Sequence, residues 1–492
     1  MDLAHILAPL KSPDAQPRQQ QLYQLLKAAI IERSLPPGAM LPASRLLAAD
    51  YGIARNTVLY AYQQLQAEGF LLADRRGTRV ADLPRLHNGV GPGAAGAANH
   101  PVLARRASGL HLRHGEPLLP FAPGVADLNA FPWASWARQL QKAWGEVSAR
   151  QLAYAAPAGE LRLRQALADD LRARRGVLCA PEQIFVVGGA QMALDACARL
   201  LADEGDTVWL EAPCYPAARS IMQTAGLKPV HVPVDAAGMA PDPALWQSDP
   251  PRLLYLTPSH QYPLGSVLSL ERRLEFLRRI GAGKGWIIED DYDSEFNHAR
   301  PGHRPVPAIQ GLQAEAPVIY VGTFSKLLYP GLRIAYMVVP RAIAHRFGEG
   351  IESLYRAGQA VEQRALARFI ESGALTRHLR RMAPIYRQRQ ALLRRELLAG
   401  FGPAAEILGG DAGLHLSLLL PDGPDDREIV RRAAELGVTA RALSEYYPPE
   451  SRPSARKGLV LGYGMVEEKQ IPELVARLVK AALDAAQHSP AQ

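Results

Sequence analysis

Val318-Ile-Tyr-Val-Gly-Thr323-Phe-Ser325-Lys326-Leu-Leu-Tyr-Pro330-Gly331-Leu-Arg333 is the stretch on which the reading of this 492-residue chain turns. Its apolar start predicts a buried strand over Val318–Gly322, running into a turn that carries two hydroxyls and a lysine. A lysine that attacks a carbonyl must sit in a partly desolvated pocket, where its proton affinity falls and the free amine becomes available. Thr323, Ser325 and Arg333 supply hydroxyls and a guanidinium, donor types that hold a phosphate through charge-assisted bonds. A lone loop lysine is ordinarily a surface charge, so the assignment depends on what the rest of the chain adds.

Upstream, Trp286-Ile-Ile-Glu289-Asp290 reads as a strand with acids at its carboxyl end, where open α/β sheets bind ligands. A buried carboxylate there pairs with a protonated ring nitrogen; alone, Asp290 reads equally as a helix cap or an ion-pair partner. Ile184-Phe-Val-Val187 followed by Gly188-Gly-Ala190-Gln191 is a strand, a glycine turn and a helix start, a pattern that cradles phosphates and also serves ordinary turns. Tyr215 has the shape to stack on a planar ring or to fill core. Further apolar runs at Val208–Leu210, Val230–Val234, Leu253–Thr257 and Ile334–Val339 alternate with helical stretches. Together these seven runs predict an α/β domain with a mostly parallel seven-stranded sheet covered on both faces. After about Met382 a long Arg-rich helix leads into a smaller α+β region ending near Ala485. Arg272-Arg273, Arg278-Arg279 and the cluster from Arg377 to Arg395 fall on helical spacing and read as solvated faces. His260 is either a contact of the site or a structural histidine. Arg219 and Arg441 are anion-binding candidates whose simpler reading is surface charge.

The amino-terminal region has a different texture. Leu22, Leu25, Leu26 and Ile30 form a helical stripe over roughly Gln20 to Arg33. Ser44 is a natural N-cap for a second helix with Arg45 in its first turn. A third helix from about Ala54 to Glu68 buries Val58, Leu59, Tyr62 and Leu65 and exposes Arg55, Asn56 and Thr57 at its start. That is what a recognition helix needs, since arginine bonds guanine edges, asparagine bonds adenine, and first-turn amides meet phosphate. Phe70–Ala73 and Asp74–Val80 form a hairpin with a basic tip at Arg76 and Gly77. Three helices with a polar start also occur as plain packing modules.

Composition sets outer bounds. The apolar share of 48% and charged share of 21% support a large core, and the length exceeds one ordinary domain. A net charge of +8 leans only weakly toward an acidic partner. Cys179, Cys197 and Cys214 form no C-x-x-C pair, so neither a disulfide framework nor a metal site is expected, and the thiols read as buried small hydrophobes. No stretch reaches membrane-spanning length and no leader pattern opens the chain, so a cytoplasmic protein without membrane association is expected.

Two resemblances sharpen these readings. Leu41-Pro-Ala-Ser-Arg-Leu-Leu-Ala48, Arg55-Asn-Thr-Val58, Ala61-Tyr62, Leu65, Glu68-Gly69 and Gly77-Thr78 closely resemble the winged helix-turn-helix of the GntR family. From about Phe121 to Ala485 the chain resembles fold type I aminotransferases, most of all those fused to GntR winged helices, the MocR subgroup. Phe131-Pro132 with Trp136, Tyr154 with Gly159 and Leu163-Arg164, Thr257-Pro-Ser-His-Gln-Tyr-Pro-Leu-Gly265, Glu289-Asp-Asp-Tyr-Asp-Ser-Glu-Phe296 and Gly322–Arg333 carry it. The resemblance implies a GntR-type winged helix over 16–82, a flexible linker over 83–115 and an aminotransferase-like domain binding pyridoxal 5'-phosphate (PLP) over 116–485. It implies that Lys326 bonds covalently to PLP, that Asp290 pairs with the pyridine nitrogen, that Tyr292 bonds the ring hydroxyl and that Tyr215 stacks on the ring. Ala190 and Gln191 amides, Thr323, Ser325 and Arg333 would hold the phosphate, and Tyr154 would reach the phosphate of the partner subunit in a homodimer. Arg45, Arg55, Asn56, Thr57 and the Arg76–Gly77 tip would contact double-stranded DNA.

Three departures bear on activity. Tyr262 stands where working aminotransferases usually carry an asparagine, Val460 where they place an arginine for the substrate carboxylate, and Arg75 or Arg76 near a second wing glycine. The resulting expectation is a DNA-binding transcriptional regulator that senses PLP, an amine or an amino acid, with at most partial PLP chemistry. The alternative is an active aminotransferase that retains a winged helix. A third reading, an inert dimerisation scaffold, conflicts with the intact Lys326, Asp290 and Arg333 set.

Overall fold

A computed structural model describes residues 3–11, 17–84, 104–107, 120–149, 153, 156–296, 307–356, 358–403, 405–410, 412–420 and 423–487. Most of the linker expected over 83–115, and Tyr154, lie outside these described residues. The chain divides into two compact units, Met1–Val102 and Leu103–Gln492.

In the first unit, helices α1 (Arg18–Ile31), α2 (Ser44–Tyr51) and α3 (Arg55–Ala67) precede a hairpin of β2 (Leu71–Asp74) and β3 (Gly77–Val80), with a short strand β1 (Met40–Leu41) added on the outer side of β3. Leu22, Leu26, Leu47, Val58, Tyr62, Leu65, Leu71 and Val80 make its core, joined from the amino-terminal side by Leu7 and Leu10. Two local expectations change. Ser44 is the first helical residue rather than the cap, because Ala43 holds the extended cap conformation and no side chain caps α2. In α3 the buried stripe is Val58, Ala61, Tyr62 and Leu65, with Leu59 half-buried.

The second unit is built on a sheet of eight strands, one more than the seven read from sequence: β4 (Ile184–Val187), β5 (Thr207–Ala212), β6 (Lys228–Asp235), β7 (Gly238–Met239), β8 (Leu253–Leu256), β9 (Trp286–Asp291), β10 (Val318–Thr323) and β11 (Ala335–Val338). Their order is β4-β11-β10-β9-β8-β5-β6-β7, with β5, β6, β8, β9 and β10 parallel and β11 antiparallel to both its neighbours. Alternation serves two faces at once: Phe185 and Val187 pack into one core, Ile184 and Val186 into another. Continuous apolar runs are what a doubly covered sheet requires. Helices α4 (Ala190–Leu201), α5 (Pro216–Thr224) and α6 (Leu270–Ala282) follow β4, β5 and β8. A second, antiparallel sheet of β12 (Glu406–Gly409), β13 (His415–Leu419), β14 (Arg441–Ala442) and β15 (Gly458–Gly462), in the order β12-β13-β15-β14, forms the smaller α+β region.

Some arginines read as solvated are buried. Arg273, fully inaccessible, donates to the carbonyls of Leu268, Pro307 and Pro258. Arg389 donates to Gly464 O and pairs with Asp127 at 2.9 Å. Arg219 is buried as well. The long helix begins at Ala374, before Met382, and runs to Phe401. All three cysteines are buried and free, and burial pushes the thiols up, that of Cys179 to about 11. Among the described residues no helix is long and apolar enough to cross a membrane.

Phe296, fully buried, meets Tyr386 edge-on at 4.9 Å and joins the loop after β9 to the long helix. Phe296→Ala is expected to cost about 3–5 kcal/mol, read as a lowered midpoint in chemical unfolding; an unchanged midpoint would mean that this contact does not anchor the loop.

Candidate functional site

The carboxyl ends of the parallel strands converge on a solvent-open cleft of about 850 Å³ lined by Lys326, Asp290, Tyr292, Tyr215, Ala190, Gln191, Thr323, Ser325 and Arg333. All the described residues expected at the cofactor therefore meet in one place. The lining also includes Gly124, Tyr255, Thr257, Tyr262 and Pro330, which the sequence reading did not assign to the cofactor. Lys326 Nζ donates to Gly124 O at 2.5 Å. Gly124 has φ +73, and a Cβ there would lie 2.7 Å from Nζ, so only glycine leaves the amine its position. Burial holds the Lys326 ammonium below the usual lysine range, against the pull of Asp293 and Asp290.

The acids around β9 are compensated in turn, with one exception. Glu289 accepts from the amides of Ile309 (2.8 Å) and Gln310 (3.0 Å), with Arg273 at 4.0 Å. Asp291 takes Arg175 Nε at 2.8 Å and the Tyr320 hydroxyl at 2.6 Å. Burial alone would raise its carboxyl; Arg175 and Tyr320 bring it below the ordinary value. Glu295 lies 3.4 Å from Arg174. Asp290 accepts from the Tyr255 hydroxyl on Oδ2 at 2.8 Å, while its buried Oδ1 has no partner. Burial pushes its carboxyl up to about 7. An unpaired buried acceptor facing a cleft fits a protonated ring nitrogen.

The opposite end of the cleft suits a phosphate. Helix α4 starts at Ala190, and the first backbone bonds of its turn come from Met192 and Ala193 to Gly189 O, so the Ala190 and Gln191 amides point out of the helix start. At Gly189 (φ +110) a Cβ would meet the Arg333 guanidinium at 2.7 Å; the missing side chain lets that cation lie over the turn. Arg333 itself holds a left-handed conformation with φ 51. Thr323 Oγ1 accepts from the Ser325 amide at 3.2 Å, drawing the two hydroxyl residues into one turn. Helix start, hydroxyls and guanidinium form a complete anion cradle.

The remaining walls are aromatic. Tyr215 stands 6.0 Å from Tyr262, edge-on, and the Tyr262 and Tyr446 hydroxyls are 3.1 Å apart. Val460, fully buried, packs with Leu264, Leu419, Leu443 and Tyr446, and its register partner is Arg441. The Tyr292 hydroxyl donates to His260 O at 2.8 Å and lies 3.1 Å from His260 Nδ1, which is 3.2 Å from Asp293. His260, Asp293 and His415 bring ligand-type atoms within 4.8 Å of one another. His260 thus stands behind Tyr292 rather than in the cleft lining.

In the first unit, Arg45, Arg55, Asn56, Arg76 and Gly77 are exposed and Thr57 is half-buried. Ala54 occupies the cap position of α3 without a side-chain cap, leaving first-turn amides open. The Arg76 amide donates to Asp74 at 2.7 Å, which closes the hairpin tip. Among the described residues no acid pairs with the Arg45, Arg55 or Arg76 side chain.

Comparison with known proteins gives the same division. Residues 125–444 match the family described as aminotransferase class I and II, and residues 18–80 match bacterial regulatory proteins of the gntR family. The chain is similar to the probable rhizopine catabolism regulatory protein MocR of Rhizobium meliloti, 38% identical with 95% of this chain and 94% of the relative covered. It is similar to the pyridoxine biosynthesis transcriptional regulator PdxR of Corynebacterium glutamicum, 32% identical over 94% of this chain and 95% of that one. Among solved structures, the multiple substrate aminotransferase from Thermococcus profundus aligns with a TM-score of 0.70 at 23% identity, covering 78% of this chain and 98% of its own, a likeness of fold.

Asp290 generates a pH test. A carboxyl raised to about 7 in the folded state stabilises the fold below its unfolded pKa, and that contribution is lost as pH rises through about 7. This proton's contribution is lost between about pH 4 and about pH 7, at up to roughly 1.4 kcal/mol per pH unit. Asp290→Asn should make the slope of unfolding free energy against pH more positive than the parent's by up to one proton across that range; an unaltered slope would place the proton elsewhere.

Proposed function

The chain belongs to the GntR family of bacterial regulatory proteins, in the MocR subgroup that carries an aminotransferase class I and II domain, and from that premise we propose that it acts as a cytoplasmic homodimer whose large unit reads an amino compound, or its cofactor, as a signal. It is a DNA-binding transcriptional regulator, and its cofactor is pyridoxal 5'-phosphate. One combination carries the proposed reading: a full set of groups suited to the cofactor, together with Val460 in an apolar cluster where an arginine would receive a substrate carboxylate.

PLP, when bound, supplies an aldehyde that reacts reversibly with amines. Lys326 would be its covalent partner, with a proton affinity already lowered by burial. Asp290 would hold the proton of the ring nitrogen and Tyr292 the ring hydroxyl. Tyr215 would cover the ring face, and the α4 amides, Thr323, Ser325 and Arg333 would hold the phosphate. An aliphatic side chain at 460 offers a carboxylate nothing, so holding the cofactor is favoured over turning substrate into product.

On the DNA side, Arg45, Arg55, Asn56, Thr57 and the Arg76–Gly77 tip would make the contacts. The exposure of Arg45, Arg55, Asn56, Arg76 and Gly77, and the lack of an acid beside the three arginines among the described residues, support this. A homodimer is supported by Trp133 and Trp144, which are exposed large apolar groups on one helix of the second unit. Tyr154, proposed to cross to the partner's site, lies outside the described residues. A partner in the genome implies a cytoplasmic location.

Lys326→Ala is expected to abolish the visible absorbance of covalently held cofactor, and a spectrum identical to the parent would remove Lys326 from that role. Arg55→Ala should weaken specific operator binding by about 1–3 kcal/mol in mobility-shift titrations on the DNA upstream of the gene. Run with and without PLP and amines, the same titrations test sensing. Sustained transamination without operator binding would favour the enzyme reading.

A further inference from the structure

Arg219, on α5, is only 7% exposed. Its guanidinium carries five N–H donors, and the bond it makes is to Tyr446 O at 3.2 Å. Among the described residues no carboxylate lies within ion-pair distance of it. Two other nitrogen-bearing side chains gather around this cation. His231, on β6, has a side chain 13% exposed and a buried Nδ1 without a partner. Arg452, in the turn Pro449–Ser454, has a buried Nε likewise without a partner, and its charge opposes that of Arg219. The acid whose charge reaches both Arg219 and His231 is Glu450, 4.0 Å from His231 Nε2 and 70% exposed.

Such a grouping is unfavourable as it stands. A buried cation needs an opposite charge or a full set of acceptors, and an exposed glutamate screened by water supplies little of either. Burial lowers the proton affinity of Arg219, and Arg452 lowers it further; His231 is lowered by burial and by Arg219. An anion would reverse both neighbour effects. None of the three residues lines the cofactor cleft. The Arg219 side chain reaches its wall through Tyr446, which accepts from Arg219 at its carbonyl and meets the Tyr262 hydroxyl with its own.

We propose that Arg219, His231 and Arg452 form a second binding site, separate from the cofactor cleft, for the oxyanionic group of a small-molecule ligand, a carboxylate or a phosphate. Arginine forks suit either group, and an occupant would bear on Tyr262 through Tyr446. The site stands whether or not the cleft is a sensor.

The test uses the full-length PLP-loaded protein, so that the cofactor's own phosphate fills its cradle. Calorimetric titration with sodium phosphate and with sodium acetate, at ionic strength held constant with sodium chloride, should show saturable binding of at least one. Binding should weaken about tenfold or more in Arg219→Met and in Arg452→Gln, tighten severalfold in Glu450→Gln, and leave the cofactor absorbance unchanged in all three. Whichever salt binds names the oxyanion. Should Arg219→Met fail to fold, the other two variants decide, because both of their side chains reach solvent. The proposal is overturned if neither salt binds saturably, if the parent and variants bind alike, or if cofactor absorbance is lost along with anion binding.

Discussion

Taking a carboxylate out of water costs several kcal/mol unless a compensating charge or set of donors comes with it, and the segment from Glu289 to Glu295 buries five of them. Arg273, Arg175 and Arg174, with backbone amides, answer Glu289, Asp291 and Glu295, and His260 answers Asp293. Strand alternation turns Asp290 to the opposite face from Glu289 and Asp291, toward the cleft and away from those arginines. Its register partner on β10 is Val321, two residues before Thr323. A slip of one residue would aim Glu289 and Asp291 at the cleft and bury Asp290 among cations. The pairing of β9 with β10 therefore fixes which acid meets the ligand and which acids hold the scaffold.

That arrangement bears on how a bound molecule can act on DNA affinity. A ligand shifts an equilibrium only by its differential affinity for the states involved, and the coupling is reciprocal. Phosphate and ring contacts made in every state hold the cofactor without biasing anything. On the proposed reading the groups free to differ are those of the aromatic wall beyond the ring, where Tyr262 and Tyr446 meet edge-on and hydroxyl to hydroxyl. Signal and cofactor retention would then fall to different residues.

Most of the large sheet was legible because a strand covered on both faces is written as an unbroken apolar run, as in Ile184–Val187 and Val318–Gly322. Strand β7 was not, since the pair Gly238–Met239 has no period to detect. The cleft was legible where chemistry is local, in Thr323, Ser325 and Lys326. Gly124 was not, being 202 residues from the amine it supports. Tyr255 sits inside the apolar run Leu253–Leu256 and reads as core, though a hydroxyl in such a run is a signal that an acceptor waits nearby. The arginines failed for a related reason. Helical spacing places Arg273 and Arg389 on a helix, but the carbonyls of Pro307 and Gly464 that help satisfy them come from distant segments, so their burial is a tertiary fact.

Gripping a cofactor and orienting a substrate are separable demands on a fold of this kind. Groups suited to phosphate, ring and amine line one cleft, at the ends of the strands and at the start of α4. On the proposed reading a substrate carboxylate would be met from the smaller sheet, where Val460 is packed among Leu264, Leu419, Leu443 and Tyr446. Without a charge at position 460 itself, an amino acid that reached the cofactor would lose an anchor for the orientation from which proton transfer gains its rate. Binding survives that loss far better than turnover does, because binding needs contact and turnover needs alignment in the transition state. A regulator joined to a DNA-reading head needs only the binding.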